Sequence, residues 1–522
     1  MVHLLIGHRG VGKTHFLRRI EAYYREFRQQ VICLDLDTEI EKFQQCSISE
    51  IFRSMGEGVF REMEQDVLNN LMELYGEENC DVYIALGAGY QGEIPKDANV
   101  IWVRRDSDDQ GRTLLSRPRL VKEGSGYQEY LSKYQERRTR YISICSEEFC
   151  IEEGFEQINS VEPLFLGLTN GSIQGCLSLL PENFLNKKHW KKFLKKRLKW
   201  GVRYFELRDD YLSEEMLKLA LATVPRSHLL LSFRDPKAQF FKGLDLSLFT
   251  WDWPLELGDI AERSPSIVSL HERSSNQSVI QCGRKLERAT AGRKIYLKLA
   301  VEVHDFQELA EGHSWWLEDP ENRSFLPRSS EGRWQWYRLL HRETMSINFF
   351  REATGSQIDQ PTLFQWCRFP KKSKGFAAIL GNPVVHSWTP GFHQEFFLKL
   401  DLAVIRIPIR ENEFTHETLE FLQALGLKAA AVTSPLKNTV AQIIPAIEKD
   451  IDQIGAINTI WQDKKSGKWW GTNTDLHGVQ QQLAEAFEKF DKNFSWDEIA
   501  VWGGGGTRSV LKQALPMARF FS

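Results

Sequence analysis

The octapeptide Gly7-His8-Arg9-Gly10-Val11-Gly12-Lys13-Thr14 constrains this chain more than any other stretch. Apolar Val2 to Ile6 reads as a buried strand running into it, Phe16 to Phe27 has helical periodicity, and Val31 to Leu34 reads as a second strand. Strand, glycine-rich turn, helix and strand make a βαβ unit, whose turn directs backbone N–H groups outward at a helix N-terminus. Gly7, Gly10 and Gly12 let that backbone curl around phosphate, Lys13 brings a cation to the outer phosphates, and the Thr14 hydroxyl suits magnesium. The first segment is therefore expected to be a P-loop NTPase-like parallel sheet with ATP and Mg2+ as ligands.

The second strand ends in Asp35-Leu36-Asp37, and period-two alternation places both carboxylates on one side, where they can hold magnesium through water or bind hydroxyl groups. DLDTEIE, SISEIFRSMGEGVFREME, YIALGAG, RPRL and RRTRY then follow in order, and the segment over residues 1–158 resembles shikimate kinase. The resemblance implies that Asp37 and Arg61 bind the hydroxyls and carboxylate of shikimate at a turn formed by Gly87 and Gly89, with Arg137 as a second carboxylate contact. It also implies that Asp35 positions magnesium with Thr14, that Arg112 contacts ATP and that Arg117 stabilises the transferring phosphoryl group. Forked guanidinium donors suit carboxylate and phosphate, and phosphoryl transfer depends on positioning and charge neutralisation. The family's three-glycine turn is Gly87-Ala88-Gly89 here, and the stretch between Arg112 and Arg117 is short.

A length of 522 residues suggests about three domains at roughly 100 to 200 residues each. With a net charge of -3 the chain has no global bias toward nucleic acid or acidic membranes. The basic run Lys187 to Lys199 interleaves apolar residues as an amphipathic helix does, and no ligand is assigned to it. The eight cysteines form no CxxC pair and no zinc-like cluster, which argues for a reducing compartment. The strand expected at Val2 leaves no room for a signal peptide, and no apolar run approaches the roughly 20 residues that span a bilayer, so a soluble cytoplasmic protein is expected.

Beyond Ser160-Val161-Glu162-Pro163, strand-like pieces recur at Leu164 to Leu168, Tyr204 to Leu207, Leu229 to Phe233, Ile267 to Leu270, Tyr296 to Ala300 and Ile347 to Phe350. Repeated βα character over residues 163–365 suggests a (β/α)8 barrel, whose chemistry gathers at the C-terminal strand ends. Glu206, Arg208, Arg234 and His271 stand at such ends, and Lys298 alternates with apolar residues inside IYLKLAV, where an amine is costly unless it is used as a nucleophile. The set resembles type I 3-dehydroquinate dehydratase. On that resemblance Lys298 is the Schiff-base nucleophile, His271 the general acid/base and Glu206 the carboxylate that orients it. Arg208, Arg234 and Arg338 surround the substrate, with Arg338 as carboxylate clamp, and Gln360 covers it. The family's Glu-Gly-Gly after the Arg234 strand is absent, Asp235-Pro236-Lys237 standing there instead.

After a basic linker, AAILGNPVVHSWTPGFHQEFF, AVTSPLKNTV, IGAINTI and GTNTDLHGV appear in order over residues 372–495 and resemble the substrate domain of shikimate dehydrogenase. Ser387 and Thr389 then bind the substrate carboxylate, Thr433, Asn458 and Asp475 its hydroxyls, and Lys437 with Asp475 carries the proton that accompanies hydride transfer. Thr389 and Ala431 stand where the family usually has serine and asparagine. Strand-like Ile499 to Trp502 runs into Gly503-Gly504-Gly505-Gly506-Thr507-Arg508, and over residues 496–522 Gly503, Gly505, Gly506 and Arg508 read as the start of an NADP-binding turn. A nucleotide-binding sheet needs several βα units, so the Rossmann portion and its NADP site are expected to be incomplete and dehydrogenase turnover impaired.

The three resemblances concern dehydration of 3-dehydroquinate, reduction of 3-dehydroshikimate and phosphorylation of shikimate, in the order of the C-terminal part of the fungal pentafunctional AROM polypeptide. Small-molecule substrates are expected, nucleic acid and membrane are not, and a homodimer is left open. The alternative is a partly degenerate shikimate-binding scaffold or sensor in which only the kinase works.

Overall fold

In the computed structural model the apolar run Val2–Ile6 (β1) becomes the centre of a five-stranded sheet in the order β2-β3-β1-β4-β5. Its other strands are Val31–Asp35 (β2), Asp81–Ala85 (β3), Asn99–Arg105 (β4) and Glu147–Ile151 (β5), and all four ladders are parallel. Helices Lys13–Glu26 (α1), Leu36–Gln44 (α2), Ile48–Tyr75 (α3) and Gly126–Ile144 (α4) complete this part. Val2, Leu4 and Ile6 enter one core with residues of α2, α3 and α4, whereas Leu5 enters another with Phe16, Leu17 and Ile20 of α1. A strand covered on both faces must be apolar at every position, as Val2–Ile6 nearly is.

The structure describes residues 1–26, 30–105, 107–111, 114, 125–151, 173–235, 240–241, 243–258, 260, 263–352, 355–370, 373–384, 387, 389–447, 454–490, 499–502 and 507–521. The chain divides into two compact units, one of residues 1–251, 350–356 and 362–367, the other of residues 252–349, 357–361 and 368–522. The middle segment contributes to both.

Within the first unit, Cys176–Ser178 (β6), Tyr204–Arg208 (β7) and Leu229–Ser232 (β8) run parallel in consecutive order, with helices Lys187–Lys199 (α5) and Glu214–Thr223 (α6) between them. The basic helix is amphipathic as expected, burying Trp190, Phe193 and Leu194. Within the second unit, Thr250–Pro254 (β9, from Asp252 onward), Ile267–Leu270 (β10), Tyr296–Leu299 (β11) and Arg323–Phe325 (β12) run parallel, interleaved with Val279–Ala289 (α7) and Phe306–Leu317 (α8). Helix Gln335–Leu340 (α9) precedes the two-residue strand Phe349–Phe350 (β13), much shorter than the Ile347 to Phe350 expected, and Leu363–Arg368 (α10) follows. Strands β6 to β8 are neighbours in order in the first unit, as are β9 to β12 in the second. The strand expected at Leu164 to Leu168 lies outside the described residues.

The second unit also holds a sheet ordered β15-β14-β16-β17-β18, from Gly375–Gly381 (β14), Leu402–Pro408 (β15), Leu427–Val432 (β16), Thr459–Gln462 (β17) and Trp469–Thr472 (β18). Its β14, β15 and β16 are parallel, and β17 and β18 extend it antiparallel. Helices Thr389–Leu398 (α11), His416–Ala424 (α12), Lys437–Ile443 (α13) and Thr474–Phe490 (α14) belong to it. Ala500–Trp502 (β19) and Arg519–Phe521 (β20) pair in parallel with helix Thr507–Ala514 (α15) between them. Among the described residues no helix is long and apolar enough to cross a membrane.

Candidate functional site

Three groups of polar side chains stand out. The first surrounds the turn between β1 and α1. Gly12 adopts φ 98°, a conformation that a side chain resists, so the loop can turn its amides outward. The Lys13 ammonium folds back to donate to the Gly7 carbonyl at 2.7 Å. Thr14 Oγ1 donates to Asp35 Oδ2 at 2.5 Å, which brings the two expected magnesium-positioning groups together.

One expectation is corrected here. Asp37 is not on the strand with Asp35: β2 ends at Asp35, whose carboxylate accepts from the Thr38 amide and caps α2, so Asp37 lies in that helix's first turn. An N-cap carboxylate satisfies an otherwise orphaned amide, and this local bond outcompetes strand alternation. Burial, reinforced by the Asp35 charge, raises the Asp37 pKa, while Lys13 and Arg61 oppose the rise. Asp37 thus stands within the fields of both the loop lysine and Arg61.

Arg61, on α3, donates to Glu64 at 2.6 Å and to Glu57 at 2.8 Å. Glu64 is 1% exposed, and burial raises its pKa although Arg61 pulls the other way. The glycines of the 87–89 turn press on this group: a Cβ at Gly87 would stand 2.6 Å from Glu64 Oε1 and 3.2 Å from Asp37 Oδ1, and one at Gly89 would stand 2.7 Å from Arg61 Nη2. Helix α4 latches the turn, since Tyr141 donates to the Ala88 carbonyl at 2.8 Å and Arg140 to that of Gly92 at 2.7 Å. Arg137 is on this helix, half-buried. Sequence reasoning missed Glu64, although it follows Arg61 by three residues and so shares its helix face. Arg112 and Arg117 lie outside the described residues.

The second group is carried by the parallel strands of the middle segment. In the first unit, Glu206 on β7 accepts from Ser178 at 2.5 Å and from Ser232 at 2.8 Å, with the Arg234 guanidinium 3.7 Å away. Arg208 is held bidentately by Asp210, at 2.9 and 2.6 Å. In the second unit, Lys298 on β11 is 2% exposed and its ammonium contacts Asp252 on β9, itself fully buried. Ser269 on β10 is in register with Lys298, and the strand ends one residue before His271.

Within the second unit Glu256 accepts from the His271 amide at 2.6 Å and stands 3.8 Å from its Nδ1; Glu206, expected to orient His271, belongs to the first unit. Burial pushes Glu256 up, yet bonds and charge from His271 pull it down to about 2. One expectation is corrected: Arg338 is not presented as a clamp, being 3% exposed on α9 with its forked nitrogens donating to the carbonyls of Pro327 and Leu326 at 3.0 and 3.1 Å. Burial lowers it to about 10. Arg328 instead approaches this end of the sheet, donating to the His271 carbonyl at 3.4 Å. Gln360 is buried beside Asp359, which binds the backbone of Ser329 and Trp334.

The third group belongs to the 375–490 portion of the second unit. Lys437, first residue of α13, donates to Asp475 Oδ2 at 2.6 Å, and Asn458 donates to the other oxygen of Asp475 at 2.9 Å. Asn473, buried, accepts from the Asp475 amide at 3.0 Å and fixes the start of α14. Thr433 follows β16 directly, its amide bonded to the Leu380 carbonyl at 2.8 Å. The Ser387 carbonyl accepts twice from Arg406, at 3.1 and 2.7 Å, and the Ser387 hydroxyl accepts from the Thr389 amide at 3.4 Å. Gly503, Gly505 and Gly506 lie outside the described residues, and Arg508 is on α15. The groups of three or more His, Cys, Asp or Glu that would hold a metal on their own do not occur among the described residues.

Two family models match the chain: shikimate kinase over residues 9–161 and the shikimate dehydrogenase substrate binding domain over residues 379–460. An NADP(+) shikimate dehydrogenase of Gloeothece citriformis is 29% identical over 137 residues, 26% of this chain and 45% of that protein. A pentafunctional AROM polypeptide of Clavispora lusitaniae is 32% identical over 134 residues, 25% of this chain and 8% of that one. A solved structure of dehydroquinate dehydratase and shikimate dehydrogenase from S. pombe AroM is 18% identical at a TM-score of 0.27, covering 68% of this chain and 74% of that one. The chain spans about half the length of the curated shikimate dehydrogenases it matches.

Proposed function

We propose that this chain is a multifunctional enzyme acting on successive cyclic hydroxy acids, and that its N-terminal segment phosphorylates shikimate. The observation that carries this is the position of Asp37, in the fields of the loop cation Lys13 and of Arg61, which pairs with Glu64, and against the turn at Gly87. A carboxylate there accepts hydroxyl hydrogens, and Arg61 offers a forked donor to a ring carboxylate. Lys13, Thr14 and Asp35 fit ATP and magnesium, which when bound supply the phosphoryl group and neutralise its charge. The chain's own part is positioning: Asp37 orients the attacking hydroxyl, and the latched turn closes the pocket behind it.

A coupled assay of ADP release from the full chain tests this. Shikimate-dependent release is expected, and Lys13→Met should reduce it by about 10³-fold or more, the scale seen when a charge-stabilising donor is lost. ADP formation indifferent to shikimate defeats the proposal.

The middle segment is proposed to close as a (β/α)8 barrel and to dehydrate 3-dehydroquinate. Lys298 is a buried amine at the heart of a parallel sheet, with His271 beyond the end of the adjacent strand. Its amine would add to the substrate ketone and expel water to form an imine, His271 would take the ring proton and return it to the departing hydroxyl, releasing a second water, and hydrolysis of the imine by one water would free the product and Lys298. Asp252 is the near acceptor for the ammonium proton that must leave first. Borohydride with dehydroquinate should label wild type and not Lys298→Met; an unlabelled wild type would make this segment a binding scaffold.

The third segment is proposed to hold 3-dehydroshikimate and shikimate, with Lys437 and Asp475 sharing the hydroxyl proton and Asn458 fixing the carboxylate. NADP, when bound, supplies or accepts the hydride. The proposed dinucleotide turn at Gly503 to Gly506 lies outside the described residues, and no step is assigned to it.

A further inference from the structure

The first unit encloses a cavity of about 440 Å³ that none of the three groups above uses. It opens beside β4, α4 and β5, is also lined by α5 and by residues 351–352 and 362–364, and has every lining residue in the same unit. Neither the 7–14 loop nor Asp37, Arg61, Glu64, Gly87 or Gly89 lines it. Its volume is that of a small-molecule pocket.

The walls are aromatic: Trp102, Tyr134, Phe149, Phe193, Trp200 and Phe364 all line it. Its two less exposed carboxylates are already committed, while Asp109 and Glu182, which also line it, are exposed. Glu148 is matched by Arg104, and although burial pushes its carboxyl up, that guanidinium holds it below the usual range. Glu352 takes two bonds from Arg197, at 2.9 and 2.6 Å. Among the buried polar atoms of the lining, what remains uncommitted can donate in every case. The indole N–H groups of Trp102 and Trp200 and the hydroxyl of Tyr134 are buried without a hydrogen-bond partner, in side chains 2%, 4% and 1% exposed. Three orphaned donors around one cavity are each costly unless an acceptor meets them. Arg138, at the exposed margin, makes no ion pair among the described residues.

We propose that this cavity binds an aryl carboxylate, its flat ring against the aromatic walls and its oxygens accepting from the orphaned donors and Arg138. An amine is the wrong complement, because the buried carboxylates are already paired. Aromatic pairs favour stacked or edge-on rings, so a saturated ring of equal size should fit less well.

The test is calorimetric titration of the full chain with phenylacetate, cyclohexylacetate and phenethylamine, shikimate and ADP being present throughout to occupy the proposed kinase site. Phenylacetate should bind at one equivalent and at least about tenfold more tightly than the other two, a difference of about 1.4 kcal/mol. Tyr134→Phe and Arg138→Gln should each weaken it by about tenfold. Tyr134→Phe removes a hydroxyl that bonds nothing in the free protein, so its melting temperature without ligand should match wild type, as should shikimate-dependent ADP release in both variants. Absence of binding at millimolar phenylacetate, equal binding of phenethylamine, or unchanged affinity in both variants would overturn the assignment.

Discussion

Half-buried Asp37 and buried Glu64 both stand in the field of the Arg61 guanidinium, and that arrangement carries a pH signature. Burial raises both pKa values, and Arg61 is a lowering influence on each. An ionised Asp37 is the form that accepts hydroxyl hydrogens, so kcat/KM for shikimate should fall on the acid side at a pH above the ordinary carboxylate range. Removing the cation leaves burial and mutual repulsion less opposed, with Lys13 still pulling Asp37 down. In Arg61→Gln the acid limb should therefore move further up in pH, with KM for shikimate raised by about 10²-fold, the value of a charge-assisted pair of about 1.5 to 3 kcal/mol. KM for ATP should change little. An acid limb that stays in place in the pH–rate profile of Arg61→Gln would show that Arg61 does not tune these groups. Glu64 could have been found from the sequence by its i+3 relation to Arg61; Asp252 could not, because nothing local ties it to Lys298, 46 residues away.

At the scale of elements, the 87–89 turn is shaped by what crowds it. Gly87→Ala would drive a methyl group to 2.6 Å from Glu64 Oε1, so the Glu64 carboxylate, the turn or α3 must shift. Such a variant should fold, because the strain falls at a loop margin, yet lose about 10²-fold in kcat/KM for shikimate, the scale of a 1 Å misplacement. Tyr141→Phe, which only unlatches α4 from Ala88, should lose less. Steady-state kinetics on the pair settles the order, and equal losses would contradict it. The elements that sequence patterning located were those with a clear period: β1, β7, β10, β11 and α5 lie within a residue or two of expectation. Those it missed in the middle segment have none. β6 and β12 are three residues each, and β9 interleaves Trp251 and Trp253 with a buried Asp252, a pattern resembling neither an apolar run nor a surface strand. The break at Asp35 was hidden for another reason: strand alternation and helix capping compete for the same aspartate, and only the Thr38 amide decides between them.

Across the whole molecule the buried imidazoles set how the fold tolerates acid. Burial lowers His189 to about 4, His313 to about 4 and His341 to about 3. Each is neutral in the folded chain at pH 5, whereas an unfolded histidine titrates near 6.5. Between those values the unfolded state binds more protons than the folded one, so stability is complete above about pH 6.5 and drains as pH falls toward the folded-state values. The slope is about 1.4 kcal/mol per pH unit for each group, large against a stability of roughly 5 to 15 kcal/mol. His189 is the firmest case: it is 1% exposed on the amphipathic α5, beside Phe193. The urea midpoint of the full chain should drop clearly between pH 7 and pH 5, and His189→Gln, unable to take a proton, should flatten that dependence even if it is less stable at pH 7. The depressed carboxylates Glu147 and Glu256, both near 2, act in the same direction but only below their ordinary pKa, so they cannot account for a loss above pH 5. A midpoint equal at pH 7 and pH 5 would mean that these imidazoles find protons and water without unfolding.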